Sequence, residues 1–150
     1  MSINEIDKKI LNRIQSDFPI TPHPFRSIGE ELGLEESSII NSVKKLKEMG
    51  IIRRIGGNFS PEKLGFQSTL CAASVPEEKI DSFTEIVNSY DGVTHNYQRG
   101  HKLNVWFTFI APSMDDICSN LEKIKQRTGQ DQIFNLPATH VFKIKAQFNL

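Results

Sequence analysis

The sequence predicts an α+β chain in two parts: an N-terminal winged helix-turn-helix over residues 1–60 and a ferredoxin-like βαββαβ domain over residues 61–150. Three observations predict it. Ile6, Ile10, Leu11 and Ile14 recur at helical spacing, two further helical patterns are separated by a tight turn containing Gly33, and beyond Gly65 strand-like and helix-like patterns alternate.

Asn4 is placed to cap a first helix over Glu5–Asp17, which Pro19 must end. The Pro-rich loop Phe18–Pro24 leads to a second helix carrying Ile28 and Leu32 and stopped by Gly33. A third helix opens at Leu34-Glu35-Glu36-Ser37-Ser38, places Ile39, Val43 and Leu46 on one face and ends at Gly50. Ile51–Phe59, with Gly56-Gly57 in its middle, reads as a two-stranded wing, and Ser60–Gly65 as a connector. In the second part the expected order is a strand over Phe66–Val75, a helix over Glu77–Tyr90, strands over Val93–Gln98 and Leu103–Ala111, a helix over Ser113–Thr128 and a last strand over Thr139–Phe148. That order puts both helices on one face of an antiparallel sheet and leaves the other face to be covered by something else.

With 18 basic and 18 acidic residues the formal net charge is zero, which argues against a polyanion as main partner. Residues 1–60 hold nine Lys/Arg against eight Asp/Glu, and residues 61–150 nine against ten, so neither part is a basic module. No apolar run approaches the roughly 20 residues of a membrane span, and Met1-Ser2-Ile3-Asn4-Glu5 lacks the pattern of a signal peptide, so a soluble cytoplasmic protein without a membrane partner is expected. Cys71 and Cys118 lack partners at ligand spacing and read as buried thiols. The glycines form no dinucleotide or P-loop pattern.

The segment from Gly92 to Phe109 gathers two histidines, an arginine, a lysine, a tyrosine and the single tryptophan around one hairpin. With a two-residue loop at Arg99-Gly100 or Gly100-His101, strand alternation puts His95, Tyr97 and Arg99 on one face with Lys102, Asn104, Trp106 and Thr108. Leu103, Val105, Phe107 and Phe109 then face the helices. The polar and aromatic face suits a dimer interface, and equally a pocket for a flat, carboxylate-bearing ligand; a pocket built into an interface satisfies both. His23 is expected in solvent and His140 in the core, by its parity with Phe142 and Ile144; Lys143 and Lys145 face the other way, toward water.

A winged helix followed by a βαββαβ domain resembles the Lrp/AsnC family of transcription regulators over essentially the whole chain. Leu34–Ile52 looks like that family's recognition helix and the approach to its wing. More specifically, Gly50-Ile51-Ile52-Arg53-Arg54-Ile55-Gly56-Gly57-Asn58-Phe59 with Lys63-Leu64-Gly65-Phe66, followed by His95-Asn96-Tyr97 and Arg99, resembles the siroheme decarboxylases, the enzyme branch of this fold, and among them the alpha subunits of the two-subunit members. The resemblance implies a carbon-carbon lyase that removes carbon dioxide from two acetate side chains of siroheme, giving 12,18-didecarboxysiroheme on the alternative route to heme. It also implies a heterodimer with a homologous second subunit. No separate cofactor is required: iron enters with the siroheme, and heme binding is left open.

Loss of carbon dioxide from a pyrrole-bound acetate needs a sink for the electron pair and then a proton at the new carbon centre. His95, or failing that His101, is the expected proton donor, and Arg99 the expected carboxylate clamp. Tyr97 and Trp106 are expected against the ring, with Lys102, Arg53 and Arg54 as further carboxylate contacts. Either histidine is an alternative ligand to the siroheme iron, and no metal site of the chain's own is assigned. The alternative function is a DNA-binding regulator. Its third helix would meet phosphate with Glu35 and Glu36 and carries Asn41 and Ser42 in mid-helix, so DNA is not the expected partner despite Lys44, Lys45 and Lys47.

Overall fold

The computed structural model describes residues 3–143 and 147–150. These fall into two compact units, one of Met1–Gly57 with Lys143–Leu150 and one of Asn58–Phe142.

The first unit is a three-helix assembly of α1 (Glu5–Ile14), α2 (Pro24–Leu32) and α3 (Glu36–Glu48). Asn4 caps α1 as expected: its side chain accepts the Asp7 N–H at 2.7 Å while Asp7 Oδ2 accepts the Asn4 N–H at 3.1 Å, a complete capping box. The helix ends three residues earlier than expected, where the Gln15 N–H closes on Leu11. Pro24 opens α2 at a position needing no N–H, and Gly33 ends it with φ 68°, left-handed backbone that glycine adopts without strain. Ile10, Leu11, Ile28, Ile39, Val43, Leu46 and Ile52 form the core. The side-chain amide of Gln15 donates to the Phe148 carbonyl and accepts its N–H, and Asn12 treats Leu150 in the same way, so α1 holds Phe148 and Leu150 of its own unit by their backbone.

No strand forms over Ile51–Phe59. The expected wing has nothing to hold it there: Ile55 and Phe59 are exposed, and Gly56-Gly57 raises the entropy cost of an extended ribbon.

The second unit has the expected βαββαβ order. Its strands are β1 (Gln67–Ala73), β2 (Val93–Gln98), β3 (Val105–Ala111) and β4 (Ile133–Leu136), and its helices α4 (Ile80–Asn88) and α5 (Met114–Thr128). All neighbours pair antiparallel in the order β2-β3-β1-β4. Both helices pack on one face, enclosing Cys71, Phe83, Val87, Val105, Phe107, Phe109, Ile117, Leu121 and Ile124. The run expected as one helix from Glu77 begins as a 3₁₀ turn at Glu77–Lys79 before α4. Ser113 caps α5 by accepting the Asp116 N–H.

The last strand lies earlier in the chain than expected. Ile133–Leu136 pairs with β1, Ile133 opposite Ala73 and Phe134 opposite Ala72, and Pro137, which has no N–H to offer a ladder, follows at once. Of the expected Thr139–Phe148 strand, 144–146 lie outside the described residues, and the described remainder carries no strand. His140 is therefore not a core histidine: it is exposed and meets Phe142 edge-on, ring centroids 4.6 Å apart. Cys71 is buried as expected, but Cys118 is exposed, because α5 buries Ile117, Leu121 and Ile124 and turns position 118 away from them. No described helix is long and apolar enough to cross a membrane.

Candidate functional site

The β2–β3 hairpin carries the site, and one irregularity in its ladder determines which side chains meet. Val93 pairs with Phe109 and His95 with Thr108, so Thr94 is an extra residue, a β-bulge. Val93 packs against the core while His95, two residues on, lies on the opposite face. Beyond the bulge the ladder is regular: Asn96 pairs with Phe107, Tyr97 with Trp106, Gln98 with Val105, and the Arg99 N–H donates to the Asn104 carbonyl at 2.8 Å.

Residues directly opposite each other share a face, so His95, Tyr97 and Arg99 lie with Thr108, Trp106 and Asn104 on the side away from the helices. The expected separation of a core face from a polar and aromatic face holds. The loop does not have the expected two residues: β2 stops at Gln98 and β3 starts at Val105, so His101, Lys102 and Leu103 sit in the connection. Lys102 is therefore an exposed loop residue rather than a member of the strand row.

Three local contacts shape the face. The Arg99 guanidinium lies over the Trp106 ring, 5.7 Å from its centroid, and the indole N–H donates to the Leu103 carbonyl at 2.7 Å. The His95 and Tyr97 rings stack with centroids 6.1 Å apart and planes 24° apart. Asn104 is engaged structurally, its Oδ1 accepting the Val75 N–H at 2.9 Å and its Nδ2 donating to the Val75 carbonyl at 2.7 Å.

Both histidines have Nδ1 occupied, but by partners of different kind. His95 Nδ1 is 3.1 Å from the Thr94 hydroxyl. His101 Nδ1 accepts the Leu103 N–H at 3.1 Å, which leaves the proton of the neutral ring on Nε2. Metal binding by His101 through Nε2 would need the other tautomer and would break that contact.

Around these groups the face is apolar. Leu70, Phe134 and Leu136 are exposed on β1 and β4, Tyr97 is exposed on the opposite edge strand, and Trp106 and Ile110 between them are half-buried. Ala72, in register between Trp106 and Phe134, is fully buried between these two larger side chains. An apolar sheet face of this kind is suited to burial against another surface. Arg53 and Arg54 are exposed residues of the other unit. His23 is exposed, as expected.

A cleft of about 480 Å³ lies at the end of the hairpin remote from the turn, lined among others by Phe66, Tyr90, Asp91, Phe109, Pro112 and Asn120. No lysine or arginine lines it, and Asp91 would repel a carboxylate-rich ligand. Among the described residues no three His, Cys, Asp or Glu side chains converge as a metal site.

Leu70, Phe134 and Leu136 belong to this face, and Thr94 forms the bulge and lines the cleft; none of the four was legible as a site residue. A signal for the bulge exists in the sequence: strict alternation puts Val93 on the same side as His95, whereas a valine opposite a core phenylalanine belongs inside.

Comparison with known proteins places each part. Residues 7–53 match the siroheme decarboxylase NirDL-like HTH domain, and residues 63–143 the AsnC-like ligand binding domain. The chain is 53% identical over 148 residues to the siroheme decarboxylase alpha subunit of Oleidesulfovibrio alaskensis, covering 99% of this chain and 90% of that protein. The alpha subunit of Nitratidesulfovibrio vulgaris is 48% identical, with 99% and 84% covered. Among solved structures, the siroheme decarboxylase NirDL in co-complex with an iron-uroporphyrin III analogue superposes with a TM-score of 0.69 at 32% identity; it covers 97% of this chain, which spans 48% of that one. E. coli AsnC superposes with a TM-score of 0.81 at 19% identity, covering 97% of this chain and 98% of that one, a likeness of fold.

Proposed function

We propose, from the premise that the chain belongs to the siroheme decarboxylase family, that it is the alpha-type subunit of a carbon-carbon lyase converting siroheme to 12,18-didecarboxysiroheme. The observation that carries this is the match to alpha subunits over nearly the whole length of both chains. The partner is a homologous second subunit: NirDL, whose chain is about twice the span matched here, supports a pair of such halves as the working unit.

The apolar and aromatic sheet face is where substrate and partner meet this chain. Siroheme is flat and rich in carboxylates. Tyr97 and Trp106 offer ring faces, and Arg99, backed by Trp106, offers two donors to one carboxylate. Lys102, exposed in the β2–β3 connection, is a further carboxylate contact of this face, and Arg53 and Arg54 are candidate carboxylate contacts of the helical unit by itself. In each decarboxylation the bond between the acetate methylene and its carboxylate breaks and carbon dioxide leaves. The electron pair passes into the conjugated macrocycle and returns to the methylene carbon as a C–H bond, with a proton from His95, leaving a methyl group. His95 suits this role better than His101, because only its Nδ1 is held by a hydroxyl that can accept as well as donate.

The regulator alternative loses support at α3. Lys45 is tied to Asp7 at 2.8 Å, and Glu35 and Glu36 open the helix.

The test is anaerobic addition of siroheme to the chain with and without its partner, following mass loss and the absorption spectrum. Conversion is expected with the partner present, and His95→Ala should lose roughly a hundredfold to ten-thousandfold in turnover while siroheme still binds. No conversion in either arm, together with salt-sensitive binding to duplex DNA, refutes the proposal.

A further inference from the structure

The bulge at Thr94 does two things at once. It inserts one residue, which moves His95 from the core-facing row of Val93 to the free face, and it leaves the inserted residue's hydroxyl 3.1 Å from His95 Nδ1. A histidine that works through one nitrogen needs the other held, since an imidazole free to rotate presents either nitrogen in either tautomer. Thr94 is the sequence neighbour that the irregular backbone brings to Nδ1, and no other partner of that nitrogen is present among the described residues.

We propose that Thr94 is a positioning residue: its hydroxyl accepts from His95 Nδ1–H, fixes the ring, and so assigns Nε2 as the nitrogen that faces siroheme. This rests on the reading of His95 as proton donor. With Nδ1–H retained throughout, the imidazolium gives up its Nε2 proton to the new methyl carbon and returns to the neutral Nδ1–H form without rotating. The same arrangement presents the Nε2 lone pair outward between turnovers, ready to be reprotonated by solvent. Both residues are exposed in the chain alone, so water competes for the contact, and it gains weight when the face is covered.

The experiment uses the full chain in complex with its partner, with ¹⁵N-labelled histidine. Long-range ¹H–¹⁵N correlation reads the tautomer of His95, whose signals are assigned by their loss in His95→Gln. Thr94→Val keeps the branched shape and removes the hydroxyl, and Thr94→Ser keeps the hydroxyl. The expected result is the Nδ1–H tautomer in the parent and in Thr94→Ser, a shift toward Nε2–H in Thr94→Val, and a kcat lower by roughly tenfold in Thr94→Val alone with KM little changed, in the range of supporting contacts to working histidines. An unchanged tautomer in Thr94→Val, or Thr94→Ser behaving like Thr94→Val, overturns the role of Thr94. Full turnover in His95→Ala, whatever the tautomer, overturns instead the reading on which that role rests.

Discussion

Replacing Lys45 by Met should destabilise the helical unit by an amount that depends on pH. Asp7 is 1% exposed. Its Oδ2 accepts from the Asn4 N–H at 3.1 Å and from Lys45 Nζ at 2.8 Å, and its Oδ1 is buried without a partner. Burial pushes this carboxyl up, but the Lys45 hydrogen bond, the Asn4 N–H and the Lys45 charge outweigh it and hold it below the usual carboxylate value. Stripping one partner from a fully buried pair costs about 3–5 kcal/mol. The Lys45 side chain is 46% exposed, so solvent screens the pair and water can enter the vacated corner; with the Asn4 N–H still in place, about 2 kcal/mol is expected.

The pH dependence follows from the direction of the shift. Because folding lowers the Asp7 pKa, its contribution is present above the ordinary carboxylate value of about 4 and is lost as pH falls through the lower folded value. Without Lys45 burial dominates, the folded pKa rises, and a protonated Asp7 no longer misses its cation. The penalty of Lys45→Met should therefore shrink between about pH 7 and about pH 4. Urea unfolding followed by circular dichroism, with amide hydrogen exchange read on α1 and α3, measures it. A penalty constant over that range, or equal to that of Lys45→Met in an Asp7→Asn background, would refute the reasoning.

Arg99→Ala removes both the carboxylate donors and the cation over Trp106, and should weaken siroheme binding by roughly tenfold to a hundredfold, read by absorption titration; Arg99→Lys should recover only part, for want of the bidentate fork. Gly92→Ala should destabilise the sheet unit by about 1–3 kcal/mol in urea unfolding, because the added Cβ would stand 2.3 Å from the Ile110 carbonyl oxygen and 2.8 Å from the Phe109 ring. Burial pushes the Cys71 thiol up to about 12, with the nearby Cys118 adding to it, while Cys118 itself is exposed. A disulfide reagent at neutral pH should then label Cys118 at once and Cys71 only on unfolding, and rapid labelling of both would contradict the packing.

Elements bounded by local chemistry were legible in the sequence. Asn4, Gly33 and Gly50 mark helix ends because caps and left-handed residues act within a turn, and Val93–Gln98 was placed to the residue by alternation against polar neighbours. What failed depended on distant partners. Ile133–Leu136 is four residues long and becomes a strand only because β1 has a free edge there, whereas the longer alternation after Pro137 resembled a strand more closely. The wing failed for the same reason in reverse, an extended pattern with nothing beside it. In the site, parity placed His95, Tyr97, Arg99 and Trp106 correctly, but Thr94 stayed hidden because a bulge is a property of two strands.

That bulge also explains why the polar row lies on the free face at all. A regular ladder that kept Val93 against Phe109 would have turned His95 and Tyr97 toward α4 and α5, where burying an imidazole and a phenol among Phe107, Phe83 and Ile117 would require hydrogen-bond partners the core does not supply. Shifting the row by one residue keeps Val93 in the core and brings His95 and Tyr97 opposite Thr108 and Trp106. The hairpin turn, by contrast, is held by local contacts that leave little free: the Asn104 side chain goes to Val75, the indole N–H to Leu103, and His101 Nδ1 to the Leu103 N–H. The Asn104 side chain, the indole N–H and His101 Nδ1 are committed to holding the turn's shape, whereas the bulge leaves the rings of His95 and Tyr97 on the exposed face.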